Sequence, residues 1–360
     1  MAYPFVPEEA IDGVVETLKS RWIGQGPKVD AFEKEFATKF GVENPIAVNS
    51  GTSALELAYE LIGIKEGDEV ITTPLTCTAT NLPLVRRGAK LVFADIDRKT
   101  LTIDPEDIKR KITNKTKAIV VVDLHGVQAT RDDFYFTISD VGGAIAYRIP
   151  VVVDAAQALG NTGGDYTCYS FQAIKHLTTG DGGMLVCKND EDAKKAKLWR
   201  WFGIDRSLKL ANDWQPYKNR EILFDIEYPG FKYQMNDIAA AMGLAGLKTI
   251  DNVMNHREDI FNMYVGYGLP MVDGPYNKHG YACLLVENRD EFAKKMAEAG
   301  VETNVMQVRN DVYKVFAPFR TELPNMDWVD ERYICIPLHN KMTITEAEIV
   351  ARIAKKCLNA

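Results

Sequence analysis

The stretch Ser170-Phe171-Gln172-Ala173-Ile174-Lys175-His176-Leu177-Thr178-Thr179-Gly180-Asp181-Gly182-Gly183 decides how this chain reads. Its lysine, Lys175, stands 21 residues after the aspartate that closes the apolar run Ile149-Pro150-Val151-Val152-Val153-Asp154. A lysine amine can hold the aldehyde of pyridoxal phosphate as a Schiff base, while a carboxylate across the ring keeps the pyridine nitrogen protonated and the ring electron-accepting. The neighbours of Lys175 are apolar or small, which predicts a partly desolvated amine with a lowered pKa, the form that this chemistry uses. Without its motif, a single lysine reads as a solvated surface cation.

Working outward, Asp154 at a strand end would point into the crevice beyond the carboxyl edge of an open sheet, where α/β folds place their ligands. Gln157, in Asp154-Ala155-Ala156-Gln157-Ala158-Leu159-Gly160, lies close enough to reach the phenolic oxygen of the same ring. Ser170, five residues before Lys175, offers a hydroxyl to the phosphate. The phosphate also needs a cradle, and Ser50-Gly51-Thr52-Ser53 supplies one where a strand turns into a helix. Free N–H groups and the positive helix end attract an anion there, and Gly51 lets the backbone come close. Taken alone that turn reads as an ordinary helix N-cap, and Asp154 as a cap for the residues after it. The lysine motif tips both toward a ligand site.

The 360 residues, 46% apolar, can bury a large core, and they exceed one typical domain. A formal charge of −7 and no Lys/Arg block exclude a nucleic-acid surface. No apolar run approaches the roughly 20 residues that span a bilayer. The six cysteines have no metal spacing, and Met1-Ala2-Tyr3-Pro4-Phe5 lacks the blocks of a signal peptide; a reducing cytoplasm is the expected location. His125, with no second ligand at a useful spacing, reads as a loop residue rather than a metal site.

Short apolar runs at 46–49, 69–74, 90–95, 118–123, 150–154 and 183–187 alternate with helical patterns. They predict an α/β fold with a mostly parallel sheet of six or seven strands covered on both faces. Asn236 to Leu247 reads as a packed helix and Val253 to Tyr264 as a further one. We therefore expect a large domain over residues 12–247, a smaller α+β domain over 248–360, and residues 1–11 packing on the smaller one.

These motifs, with Trp22-Ile23-Gly24-Gln25-Gly26-Pro27, Gly67-Asp68-Glu69-Val70-Ile71-Thr72 and Gly230-Phe231-Lys232-Tyr233-Gln234-Met235-Asn236-Asp237, together resemble the DegT/DnrJ/EryC1/StrS family of sugar aminotransferases. The resemblance implies the aspartate-aminotransferase-like type I fold, pyridoxal 5'-phosphate as cofactor, and transfer of an amino group from L-glutamate, leaving 2-oxoglutarate, to a keto carbon of a nucleotide-linked deoxy sugar. A 4-keto-6-deoxy hexose is the default substrate. It makes Lys175 the cofactor lysine and proton carrier, Asp154 the ring-nitrogen partner, Gln157 the ring-oxygen contact, and Thr52, Ser53 and Ser170 phosphate ligands beside Gly51. Lys232 or Gln234 would reach the partner subunit's phosphate across a homodimer interface. Some members carry histidine at the lysine position and dehydrate instead; Lys175 favours transamination.

Three departures stand out. Cys77 occupies the place of the aromatic that usually stacks on the ring, residues 161–169 are shorter than the usual hairpin, and Gln172 stands where histidine is frequent three residues before the lysine. For the nucleotide diphosphate, Arg206 and Arg309 are candidate cations together with Lys232, and Trp22 a candidate substrate contact. Trp199, Trp201 and Trp214 offer either a wall for base or sugar or plain core. The same chemistry on a keto-cyclitol or an aminobenzoate precursor, or a non-catalytic protein retaining the fold, are the rival readings.

Overall fold

The computed structural model describes residues 3–129, 137–139, 146–205 and 226–359. A seven-stranded sheet organises the larger part: β1 (Pro45–Val48), β2 (Glu69–Thr72), β3 (Lys90–Phe93), β4 (Thr116–Val122), β7 (Val151–Asp154), β8 (Tyr166–Ser170) and β9 (Gly183–Cys187). A separate hairpin, β5 (Thr137–Ser139) with β6 (Ala146–Arg148), precedes β7. The order in the main sheet is β1-β9-β8-β7-β4-β2-β3. Pairing is parallel from β3 to β8 and antiparallel on both sides of β9. Six strands therefore share one direction and β9 opposes them.

The unbroken valine and isoleucine runs have a simple cause. Along β4, Val120 and Val122 enter one core while Ile119 and Val121 enter the other, and Val152 of β7 likewise faces away from Val151 and Val153. With side chains alternating across the sheet and both faces covered, every position is apolar. Each such side chain stabilises the fold by roughly 1.5–3 kcal/mol. The runs expected from the sequence are all strands. Tyr166–Ser170, which was not anticipated as a strand, completes the sheet between β7 and β9.

Two N-terminal helices, α1 (Glu8–Ser20) and α2 (Pro27–Phe40), precede the sheet. Gly13 of α1 lies against Ala241, where a Cβ would meet the alanine at 3.6 Å. Before α1, the ring of Tyr3 lies 6.1 Å from that of His339. The sequence reading also divided the chain at 247/248, between two helices. Instead a single 30-residue helix, Asp237–Gly266, runs through that point. Its Leu247, Ile250 and Val253 join the sheet's core, and its Ile260, Phe261 and Tyr264 join a second core with β10 (Ala282–Leu285), β11 (Tyr333–Ile336) and the C-terminal helix Ile344–Asn359. No helix turn in this stretch lacks an apolar partner, so no break is needed.

Candidate active site

The strand directions bring the sequence motifs to one edge. β1, β7 and β8 end there, β9 begins there, and the helix Gly51–Ile62 starts there. A cavity of about 380 Å³ opens at this edge, lined among others by Gly51, Thr52, Cys77, Asp154, Gln157, Ser170 and Lys175. Seven residues singled out in the sequence thus share one space.

Lys175 is held by a closed turn. Its N–H donates to the Gln172 carbonyl at 2.9 Å, the Thr179 N–H donates to Phe171 O at 2.9 Å, and the Phe171 N–H donates to Gly182 O at 2.8 Å. The turn is therefore pinned at three points. The surface Lys175 keeps faces the cavity, and its amine makes no hydrogen bond to the protein among the described residues. Burial pushes its pKa down, partly offset by the Asp154 and Cys77 charges. Such an amine is a better nucleophile near neutral pH than an exposed one.

Asp154, only 4% exposed, ends β7. One carboxylate oxygen accepts the Ala156 N–H at 3.0 Å, the other the Thr80 hydroxyl at 2.7 Å. Burial pushes its pKa up, and those two bonds with the Lys175 charge push it back. Gln157 is buried, and its carbonyl oxygen accepts the His125 N–H at 2.9 Å, which fixes the orientation of the amide.

The anion cradle is built as a helix start. Ser50 caps the helix by accepting the Ser53 N–H at 3.0 Å, so the capping and binding readings describe one turn. A Cβ on Gly51 would lie 2.9 Å from the Ser170 Cβ; only glycine lets β8 and this helix close on the cavity. Ser53 departs from expectation: its hydroxyl donates to the Asn49 side chain at 2.6 Å and it does not line the cavity, whereas Ser50 does.

Other expected residues lie elsewhere. Lys232, Gln234 and Trp22 line a second concavity with Trp201, away from Lys175, where the Lys232 amine sits 3.6 Å above the Trp201 ring. Arg309 is committed inside the small domain, donating two hydrogen bonds to Asp311 at 2.7 and 2.6 Å and pairing with Asp327. A guanidinium so engaged is not free to bind a diphosphate, which corrects its assignment as a substrate cation. Trp199 stacks on Tyr228 at 4.1 Å rather than facing the cavity. Arg206 and Trp214 lie outside the described residues.

The structure also adds what the sequence reading missed. Tyr281, Met306 and Gln307 line the cavity, and Tyr281 is its one aromatic among the described residues. Nothing in their local sequence marks them, since only the fold brings them there. His125 meets Cys283 and Cys335, with ligand atoms all within 4.8 Å of one another, and the two cysteines are joined as a disulfide across β10 and β11. Spacing along the chain concealed that cluster.

The chain matches the DegT/DnrJ/EryC1/StrS aminotransferase family over residues 5–355. The spore coat polysaccharide biosynthesis protein SpsC of Bacillus subtilis is 34% identical over 375 residues, covering 96% of this chain and 94% of that protein. Among solved structures, the sugar aminotransferase CalS13 from Micromonospora echinospora superposes with a TM-score of 0.87 at 28% identity, over 99% of this chain and 98% of its own. Spr1654 from Streptococcus pneumoniae, in its PLP form, gives 0.87 at 27% identity over the same shares. The fold and the lysine–aspartate cavity define a pyridoxal phosphate-dependent aminotransferase of type I fold. The chain belongs to the DegT/DnrJ/EryC1/StrS family.

Proposed function

We propose that this enzyme moves an amino group from glutamate to a keto carbon of a nucleotide-linked keto-deoxy sugar, most simply a 4-keto-6-deoxy hexose giving a 4-amino-4,6-dideoxy sugar. The observation that carries the reading is the enclosed Lys175 amine sharing one cavity with Asp154. The cavity fits the cofactor: a helix start narrowed to glycine suits its phosphate, and a buried carboxylate suits its ring nitrogen. When bound, pyridoxal phosphate supplies an electron sink for the carbon that loses or gains a proton.

The chain's own groups do the rest. Lys175 carries the proton between the reacting carbons, and its lowered pKa lets it exchange that proton near neutrality. With the cofactor bound, Asp154 would hold the ring proton, Thr52 and Ser170 would hold the phosphate, and Gln157, fixed by the His125 N–H, would face the ring. A sugar acceptor is supported by the names of the similar proteins and by polar side chains at the mouth, Ser50, Gln172 and Gln307.

Homodimerisation belongs to the same reading. Trp22 and Ile23, 55% and 50% exposed, stand beside Lys232 and Gln234 on one face, a surface suited to a second subunit whose phosphate site Lys232 or Gln234 would complete. A cytoplasmic location fits the proposed substrate, and no helix among the described residues is long and apolar enough to cross a membrane.

The test is spectroscopic. The purified protein should show a visible cofactor band that glutamate bleaches and that one nucleotide keto sugar restores. Restoration by a free keto-cyclitol, with no response to any nucleotide sugar, would replace the substrate; no change with any amine donor would end the transaminase reading.

A further inference from the structure

Asp154 is held by a short chain of two threonine hydroxyls, Thr76 and Thr80. Thr80 has one hydroxyl hydrogen, and it goes to Asp154 at 2.7 Å. The Thr76 and Thr80 hydroxyls lie 2.8 Å apart. Because Thr80 has no second hydrogen, Thr76 is the donor of that bond, and donation runs one way, from Thr76 to Thr80 to the carboxylate.

Thr80 sits in the first turn of the helix Thr78–Arg86, and just before that helix the Thr76 carbonyl accepts the Asn310 side-chain amide at 2.7 Å. Asn310 is further tied to the same loop, accepting from the Asn81 amide at 2.9 Å and donating its backbone N–H to Pro74 O at 2.7 Å. Thr76, Thr80, Asn81 and Asn310 are all buried. Water cannot replace a lost partner there, so each bond is worth more than at the surface. Asn310 lies three residues after Gln307, which lines the cavity.

We propose that Thr80 is a positioning residue that keeps Asp154 oriented for the cofactor's ring nitrogen, and that Asn310 braces the Thr76–Thr80 pair from the small domain. The proposal rests on the ring-nitrogen role of Asp154 given above. It makes the 72–81 loop a mechanical link between the wall that meets the substrate and the group that tunes the cofactor.

The test uses the cofactor-loaded enzyme and three variants. Thr80→Val keeps the shape and removes the hydroxyl; Thr80→Ser keeps the hydroxyl; Asn310→Ala removes the brace. At equal cofactor loading, Thr80→Val should slow the glutamate half-reaction about tenfold to a hundredfold. It should also raise the pH midpoint of the visible band by about half a unit or more. The direction follows because a less firmly held ring proton leaves less positive charge opposing protonation near Lys175. Thr80→Ser should restore both readouts, and Asn310→Ala should shift the midpoint the same way by less. An unchanged midpoint in Thr80→Val, or in Asn310→Ala should the valine variant not fold, would overturn the proposal. So would a serine variant that fails to restore it, since that outcome means packing alone. A wild-type enzyme with no visible band would remove the reading of Asp154 first, and this proposal with it.

Discussion

On the large-domain wall of the cavity, Asp154 and Ser170 end strands, Gly51 and Thr52 open a helix, and Lys175 sits in a turn closed by three hydrogen bonds. The facing wall comes from the small domain and has none of that regularity. Tyr281 lies just before a strand, and Met306 and Gln307 lie in a segment without regular structure. Under the proposed function, the groups that would perform the same proton transfers on every substrate are tied to the stiffest backbone. Those that would meet a variable sugar hang from backbone that can change shape without disturbing the sheet.

The sharpest way to break this contrast is at its most rigid point. Lys175→Ala should abolish the visible cofactor band and lower kcat by at least about 10³-fold, the scale of a lost proton carrier, while the Tm of the apo-protein stays level or rises because a buried amine has been removed. Absorbance and single-turnover kinetics check it. Turnover within tenfold of wild type would mean that chemistry is not confined to the large-domain wall.

That contrast also explains what could be read in the sequence. The fold was legible because valine and isoleucine runs such as Val151-Val152-Val153 need a sheet covered on both faces; in the main sheet only β8, whose Tyr166-Thr167-Cys168-Tyr169-Ser170 mixes polar and aromatic residues, escaped notice, as did the separate hairpin β5–β6. Lys175, Asp154, Gln157, Ser170, Gly51 and Thr52 were legible because a strand end or helix start dictates where each side chain goes. Tyr281, Met306, Gln307 and the Thr76–Thr80 pair were not, because tertiary packing alone brings them to the site. Ser53 and Arg309 were misjudged for the same reason. Residue type suggests a phosphate ligand, but the Asn49 amide and two carboxylates had prior claim on them.

The seam between the two walls offers a second, smaller effect. His176 bonds through its ring to the Lys278 carbonyl at 2.7 Å, and His125 stands edge-on to Tyr281. Burial pushes each down to about 3 from 6.5. A lowered folded-state pKa gives stability that is complete above the unfolded value, 6.5, and that drains away as pH falls toward 3. The loss should be up to about 1.4 kcal/mol per pH unit for each histidine. Melting curves of the apo-protein between pH 7 and 4 should show Tm dropping steeply, and His125→Phe, which keeps a ring against Tyr333, should flatten the slope. An identical slope in that variant would show that the seam is not held by a neutral His125.

The smallest effect is the most informative about the irregular wall. Gln307→Ala and Met306→Ala remove side chains that line the cavity and that are not among the hydrogen-bond partners of Asp154, which are Thr80 and Ala156. Lost contacts of this kind raise KM for the keto sugar by about tenfold, the scale on which a pocket discriminates by a few atoms. The glutamate half-reaction, which needs only the large-domain groups, should stay within about twofold. Steady-state kinetics with each substrate varied in turn separates the two. If both half-reactions slow together, the small-domain wall is part of the chemistry, and the division between a rigid catalytic side and a tunable recognition side fails at this cavity. If only the sugar half changes, exchanging residues 305–308 would redirect substrate preference while Lys175 and its partners remain as they are.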